Sequence, residues 1–159
     1  MIDATLLNSY VGKNIKDICL FGFTDDSKNH CAHFVSHALN LDFGYTCKGS
    51  ANLRVHEIFQ RCPVAYEFNS CPSVVSGLIF VSQYRNFDST RQTMRNVPKK
   101  HIGIIYNGNI WHYSNKSSNE KVIVQQMVHF IDHYRRQRNA LWFGEIPDGA
   151  RPHPWGVSV

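Results

Sequence analysis

The run His101-Ile102-Gly103-Ile104-Ile105-Tyr106-Asn107-Gly108-Asn109-Ile110-Trp111-His112 carries the strongest structural signal in the chain. Asn107-Gly108 stands between two β-rich runs, and Asn-Gly is the pair best suited to a two-residue hairpin turn. With those residues at the turn, Tyr106 pairs with Asn109 and Gly103 faces His112. Side chains alternate faces with period two, so His101 projects from the same face as His112. Diagonal neighbours of this kind lie roughly 7–8 Å apart at the backbone, within side-chain reach. One imidazole then orients the other, as a catalytic base requires.

Upstream, Lys28 to Asn40 reads as a helix that follows a polar loop, Thr24 to Lys28, with Asn29 or Ser27 as N-cap. Cys31, Phe34, Val35 and Ala38 fall at i, i+3, i+4 and i+7, so the thiol shares the core-facing stripe. A first-turn cysteine feels the positive end of the helix dipole. With an imidazolium nearby, its pKa is expected to fall, holding a thiolate ready at neutral pH. The Cys31 backbone N–H is then a candidate oxyanion donor. A thiol nucleophile, a histidine base and a third group that orients it together make the Cys-His-X arrangement used for acyl transfer. Ser114, opposite His101, and the nearby Asn115 are alternatives for the third place.

A length of 159 residues with 43% hydrophobic and 13% aromatic content fits one globular catalytic domain, residues 1–159, and not a disordered chain. No apolar run reaches the ~20 residues of a membrane helix, so no membrane insertion is expected. The first residues lack the basic start and apolar segment of a signal peptide, which suggests the cytoplasm or a leaderless route of secretion. The net charge of +5 suggests an anionic partner: nucleic acid, lipid headgroups or wall polymer. The basic residues are scattered apart from Lys99-Lys100 and Arg135-Arg136-Gln137-Arg138. Neither cluster carries a nucleic-acid motif, so both read as solvated faces and no nucleic acid is expected. Setting Cys31 aside leaves Cys19, Cys47, Cys62 and Cys71, an even number that favours disulfides and an oxidising site of action, with buried thiols as the alternative.

Around these motifs, Ala4 to Ile18 is weakly helical, Leu41 to Ala51 a loop, and Asn52 to Arg61 a second helix stopped by Pro63. Gly77 to Gln83 reads as a strand, followed by a polar excursion from Tyr84 to Lys99. Lys121 to Val128 adds a third strand to the hairpin, His129 to Arg138 a short helix, and Ala140 to Ile146 a final strand. Helices first and an antiparallel sheet afterwards is the α+β pattern, with N-terminal helices packed on a central sheet.

Three segments resemble the NlpC-type cysteine peptidases of the papain-like superfamily, over roughly Phe21 to Asn115. Asn29-His30-Cys31-Ala32-His33-Phe34-Val35 is similar to the family's nucleophile helix, usually Asp-Cys-Ser-Gly-Phe-Val. Gly77-Leu78-Ile79-Phe80 is similar to its Gly-Asp-Leu-Val-Phe strand. His101-Ile102-Gly103-Ile104 through Trp111-His112 is similar to His-Val-Gly-Ile followed by the third catalytic residue. The resemblance implies a papain-like fold with Cys31 as nucleophile, His101 as base and His112 as orienter. The order, Cys before His, fits the hydrolase branch and not the permuted acyltransferases. It also implies hydrolysis of amide bonds in peptidoglycan stem peptides or cross-links. A small domain of this type resembles amidase toxins delivered by a leaderless route to a rival's periplasm or cell wall, monomeric and opposed by an immunity protein. A phage lysin is the next reading.

Two rival classes stand beside this one. A papain-like effector would hydrolyse or deamidate a protein substrate with the same residues. A non-catalytic module would bind zinc, since His33 and His37 at i, i+4 can share a metal and Cys31, His101 and His112 form another acceptable ligand set. No Cys-x-x-Cys pair or His-Glu-x-x-His motif accompanies them, so no metal or other cofactor is expected. His33 and His37 are then expected in solvent or at a cleft edge, and His129 and His133 on the surface.

Overall fold

The computed structural model describes residues 2–25, 29–47, 53–116 and 120–148. Four short helices come first: α1 (Ala4–Asn8), α2 (Ile15–Ile18), α3 (Cys31–Ala38) and α4 (Val55–Phe59). Strands β1 (Ala65–Glu67), β2 (Ser76–Ser82), β3 (Phe87–Asp88), β4 (Thr93–Met94), β5 (His101–Tyr106), β6 (Asn109–Ser114) and β7 (Lys121–Gln126) follow. Helix α5 (Met127–Arg136) and strand β8 (Ala140–Gly144) close the described chain. Six strands form one sheet in the order β1-β8-β2-β5-β6-β7, and every pairing is antiparallel. The fold is mixed α+β, with few helices. Among the described residues no helix is long and apolar enough to cross a membrane.

The hairpin forms in the expected register. Tyr106 pairs with Asn109, Ile105 with Ile110 and Ile104 with Trp111. Asn107 and Gly108 both take positive φ, 46° and 79°, as a two-residue turn matched to strand twist demands. The paired ladder stops at Ile104–Trp111. Both histidines lie beyond that point, at the unpaired end of the hairpin.

Alternation splits the sheet residues between two cores. Leu78, Phe80, Ile102, Ile104, Trp111 and Tyr113 face the N-terminal helices, where Leu7, Phe34, Val35, Ile58 and Phe59 bury them. Ile79, Val81, Ile105 and Ile110 face the other way, against Phe130 and Ile131 of α5. The N-terminal helices therefore cover one face only, with α3 resting on β5 and β6, and the C-terminal helix covers the second. Tyr113 is a central pin: its buried hydroxyl accepts the Ile15 N–H at 3.0 Å and donates to the Glu120 carbonyl at 3.2 Å.

Several boundaries differ from expectation. The α3 and α4 helices are shorter than Lys28–Asn40 and Asn52–Arg61; Ser27 and part of the Leu41–Ala51 loop lie outside the described residues. The strand expected over Lys121–Val128 ends at Gln126, because the Met127 N–H turns to the Gly108 carbonyl and α5 starts there. The last strand ends at Gly144, not Ile146. Strand β1 and the β3–β4 pair arise where no strand was expected.

Candidate functional site

At the end of the hairpin beyond the paired ladder, His101 and His112 meet. His101 Nε2 lies 2.8 Å from His112 Nδ1, with the rings edge to face. Gly103 makes this possible: a Cβ there would sit 2.7 Å from Ile110 Cγ2 and 3.3 Å from His112 Cβ. The side chains of Phe130 and Tyr134, from α5, pack against the pair.

Hydrogen-bond chemistry assigns the tautomers. His112 Nε2 lies 2.6 Å from Gln125 Oε1, a carbonyl oxygen that only accepts. The Nε2 of His112 therefore carries the proton, and its Nδ1 accepts from His101 Nε2–H. The remaining nitrogen of His101, Nδ1, then carries a lone pair. Burial keeps both rings neutral. His112 is held down at about 4 by burial, with the Gln125 bond opposing and the His133 charge reinforcing the shift. His101 is pushed well below the ordinary histidine value, by burial first and then by His112 and His133.

The Cys31 sulfur reaches this place from the opposite face of the sheet, on the first residue of α3. It lies 3.9 Å from the Lys100 carbonyl and receives the Ile102 N–H, so it touches the backbone on both sides of His101. That N–H belongs to a residue beyond the last β5–β6 pair, Ile104–Trp111. None of the sulfur's hydrogen bonds runs to an imidazole. Of the three expected site residues, the two histidines are in direct contact, and Cys31 adjoins the backbone of one.

Two expectations about Cys31 change. Its thiol is 1% exposed, and burial pushes its pKa up to about 11, against the opposing pull of the Ile102, Ala32 and Cys31 N–H groups and of Lys100. Burial therefore favours the neutral thiol over a standing thiolate. The Cys31 N–H, expected to be open, donates to Asn29 Oδ1 at 2.9 Å. Asn115 is committed to this same helix start, its Nδ2 donating to Asn29 Oδ1 at 2.8 Å and its Oδ1 accepting the His30 N–H at 3.2 Å. It ties β6 to α3 and does not reach the histidine pair. Gln125 went unrecognised in the sequence, although Ile110 pairs with Gln125 and His112 with Ile123, which puts Gln125 diagonal to His112 on one face.

A second group of side chains lies farther along α3. His33, expected in solvent, is 2% exposed. Its Nε2 is 3.1 Å from His37 Nε2, which in turn is 3.4 Å from Cys47 Sγ. Cys19 and Cys47 bring their sulfurs to 3.8 Å, well beyond the ~2.05 Å of a disulfide. No disulfide joins any two of the five cysteines, contrary to expectation; Cys62 is packed against Gly144 in the core and Cys71 is exposed. Burial, then the charges of His37 and His30, bring His33 down to about 3. His129 and His133 are on the surface, as expected. No protein-family model, curated protein or solved structure matches this chain.

Proposed function

We propose that this protein is a cysteine hydrolase with a papain-like, NlpC-type fold, cutting amide bonds in peptidoglycan peptides at the cell wall. One observation carries the reading. Gln125 and His112 hold His101 in one tautomer, and the Cys31 sulfur lies against the Lys100 carbonyl, the residue before that histidine, which supports a base and a thiol at one site.

In the reaction, His101 Nδ1 takes the thiol proton as the Cys31 sulfur adds to the amide carbonyl carbon. Burial disfavours a free thiolate and a free imidazolium alike, so proton transfer and attack are coupled. The protonated His101 gives its Nδ1 proton to the leaving amine as the C–N bond breaks, leaving a thioester on Cys31. A water, deprotonated by the same nitrogen, adds to the thioester and releases the acid and the thiol. His112, held by Gln125, keeps Nε2–H of His101 occupied throughout and stabilises the transient positive charge. Substrate must displace what covers the sulfur, and the Asn29 amide must release the Cys31 N–H if that group is to hold the oxyanion. Resting catalytic hydrogen bonds are commonly longer than those of the substrate complex. The +5 charge of the chain suits an anionic wall polymer.

The test is digestion of purified sacculi followed by mass spectrometry of the muropeptides. Wild type releases new amide-cleaved fragments, and Cys31→Ala releases none while keeping the wild-type circular dichroism. Fragment release by Cys31→Ala would falsify the assignment. Absence of wall fragments with wild type would transfer the same residues to a protein substrate.

A further inference from the structure

The geometry points to a structural zinc site, separate from the proposed hydrolytic centre, formed by Cys19, His33, His37 and Cys47. Their ligand atoms all lie within 4.8 Å of one another. Three of the six spacings are close to the edges of a tetrahedron around one ion. Zinc bonds of about 2.3 Å to sulfur and 2.0–2.1 Å to nitrogen give edges of about 3.8 Å between sulfurs and 3.3–3.4 Å between nitrogens. The observed edges are 3.8 Å for Cys19 Sγ–Cys47 Sγ and 3.1 Å for His33 Nε2–His37 Nε2, and the Cys47 Sγ–His37 Nε2 edge is 3.4 Å.

The surroundings prepare His33 to ligate. His30 Nε2 lies 2.7 Å from the Asp25 carbonyl and must donate to it. Its Nδ1, 3.2 Å from His33 Nδ1, therefore accepts, and His33 Nδ1 carries the proton. That leaves the Nε2 lone pair of His33 aimed at the cluster. A ligating histidine normally has its other N–H held in this way. Three of the four residues are buried and His37 is half-buried. Two thiolates balance the charge of a divalent ion, so the filled site would put no net charge into the interior. All four positions come from protein, leaving none for water or substrate, which is the arrangement of a structural site.

The four ligands come from three segments: the residue that ends α2, two turns of α3, and the loop after α3. Binding would clamp these segments around the helix whose first residue is Cys31. The sequence spacing, Cys-x13-His-x3-His-x9-Cys, contains no paired-cysteine knuckle, which is why only its central His-x3-His was visible as a metal motif.

The test uses the full chain, purified without a metal-affinity tag, supplied with zinc and desalted. Elemental analysis is expected to find about one zinc per chain, and X-ray absorption a shell of two sulfurs and two nitrogens at the bond lengths above. Cys31→Ala should retain the full zinc content, which separates this site from the hydrolase reading. Cys47→Ser and His37→Ala should each lose most of it. Because those variants risk unfolding, wild-type cobalt substitution is the second measurement, with the charge-transfer and visible bands of tetrahedral sulfur-ligated cobalt expected. Wild type that retains no zinc, a shell without sulfur, loss of zinc in Cys31→Ala, or a Cys19–Cys47 disulfide in the purified chain would each overturn the proposal.

Discussion

Gln125 is the side chain on which the direction of the proposed proton relay depends. Its carbonyl oxygen sets the tautomer of His112, and His112 sets that of His101. Gln125→Leu should lower kcat on the order of 10²-fold with little change in KM, by analogy with the loss of an orienting group from a triad. It also leaves the buried His112 N–H unpaired, at a cost of about 1–3 kcal/mol in stability. An unchanged kcat in a folded variant would remove Gln125 from the mechanism. A second prediction concerns the thiol. With its pKa pushed up to about 11 by burial, Cys31 should react with iodoacetamide at a rate that still climbs above pH 9. A plateau below pH 8 would show a thiolate that the buried environment does not favour. The helix dipole alone would favour such a thiolate; burial opposes it, because desolvation of a sulfur that is 1% exposed outweighs a few N–H dipoles.

The β5–β6 hairpin was legible from its residues because Asn-Gly fixes a loop length, and loop length fixes register. The stripe Cys31, Phe34, Val35, Ala38 was legible for the same kind of reason, and all four are buried. His33 was not, because loops from before and after α3 cover a helix side that periodicity alone assigns to solvent. Strand β1 has three residues and β3 and β4 have two each, too few for alternation to register. Gly103 connects the hairpin to the candidate site. Gly103→Ala should cost about 1–3 kcal/mol, since its methyl group would meet Ile110 and His112 inside a filled core. The denaturant midpoint measures this, and a variant as stable as wild type would mean that β6 yields easily. The same substitution should depress hydrolysis more than stability, through displacement of His112.

Across the whole molecule, acid sensitivity follows from the buried imidazoles. His112 has a folded pKa of about 4 and an unfolded value near 6.5. Between those values the unfolded chain binds a proton that the folded chain excludes. Stability is therefore complete above about pH 6.5 and falls as pH drops through that window. His112 alone should cost about 2 kcal/mol at pH 5, and His101 acts in the same direction. Urea midpoints at pH 7 and pH 5 check this, and an equal or higher midpoint at pH 5 would contradict it. The basic end of α5 adds little to this balance: the Arg136–Asp132 pair is 2.9 Å long but exposed. The α+β class and the antiparallel sheet were readable in the residue pattern. The second helical layer was not, since the pattern marks α5 as amphipathic without saying which side of the sheet it covers.

The place of Ile102, beyond the last β5–β6 pair, has a use. Its N–H dipole favours charge on the Cys31 sulfur, so the chemical state of Cys31 should be felt in the exchange rate of that one backbone hydrogen. Alkylation or acylation of that sulfur weakens the acceptor, and Ile102 should then trade its proton for deuterium faster while Ile104 beside it does not. A spectroscopist would have an internal gauge of covalent occupancy, with no label added to the chain.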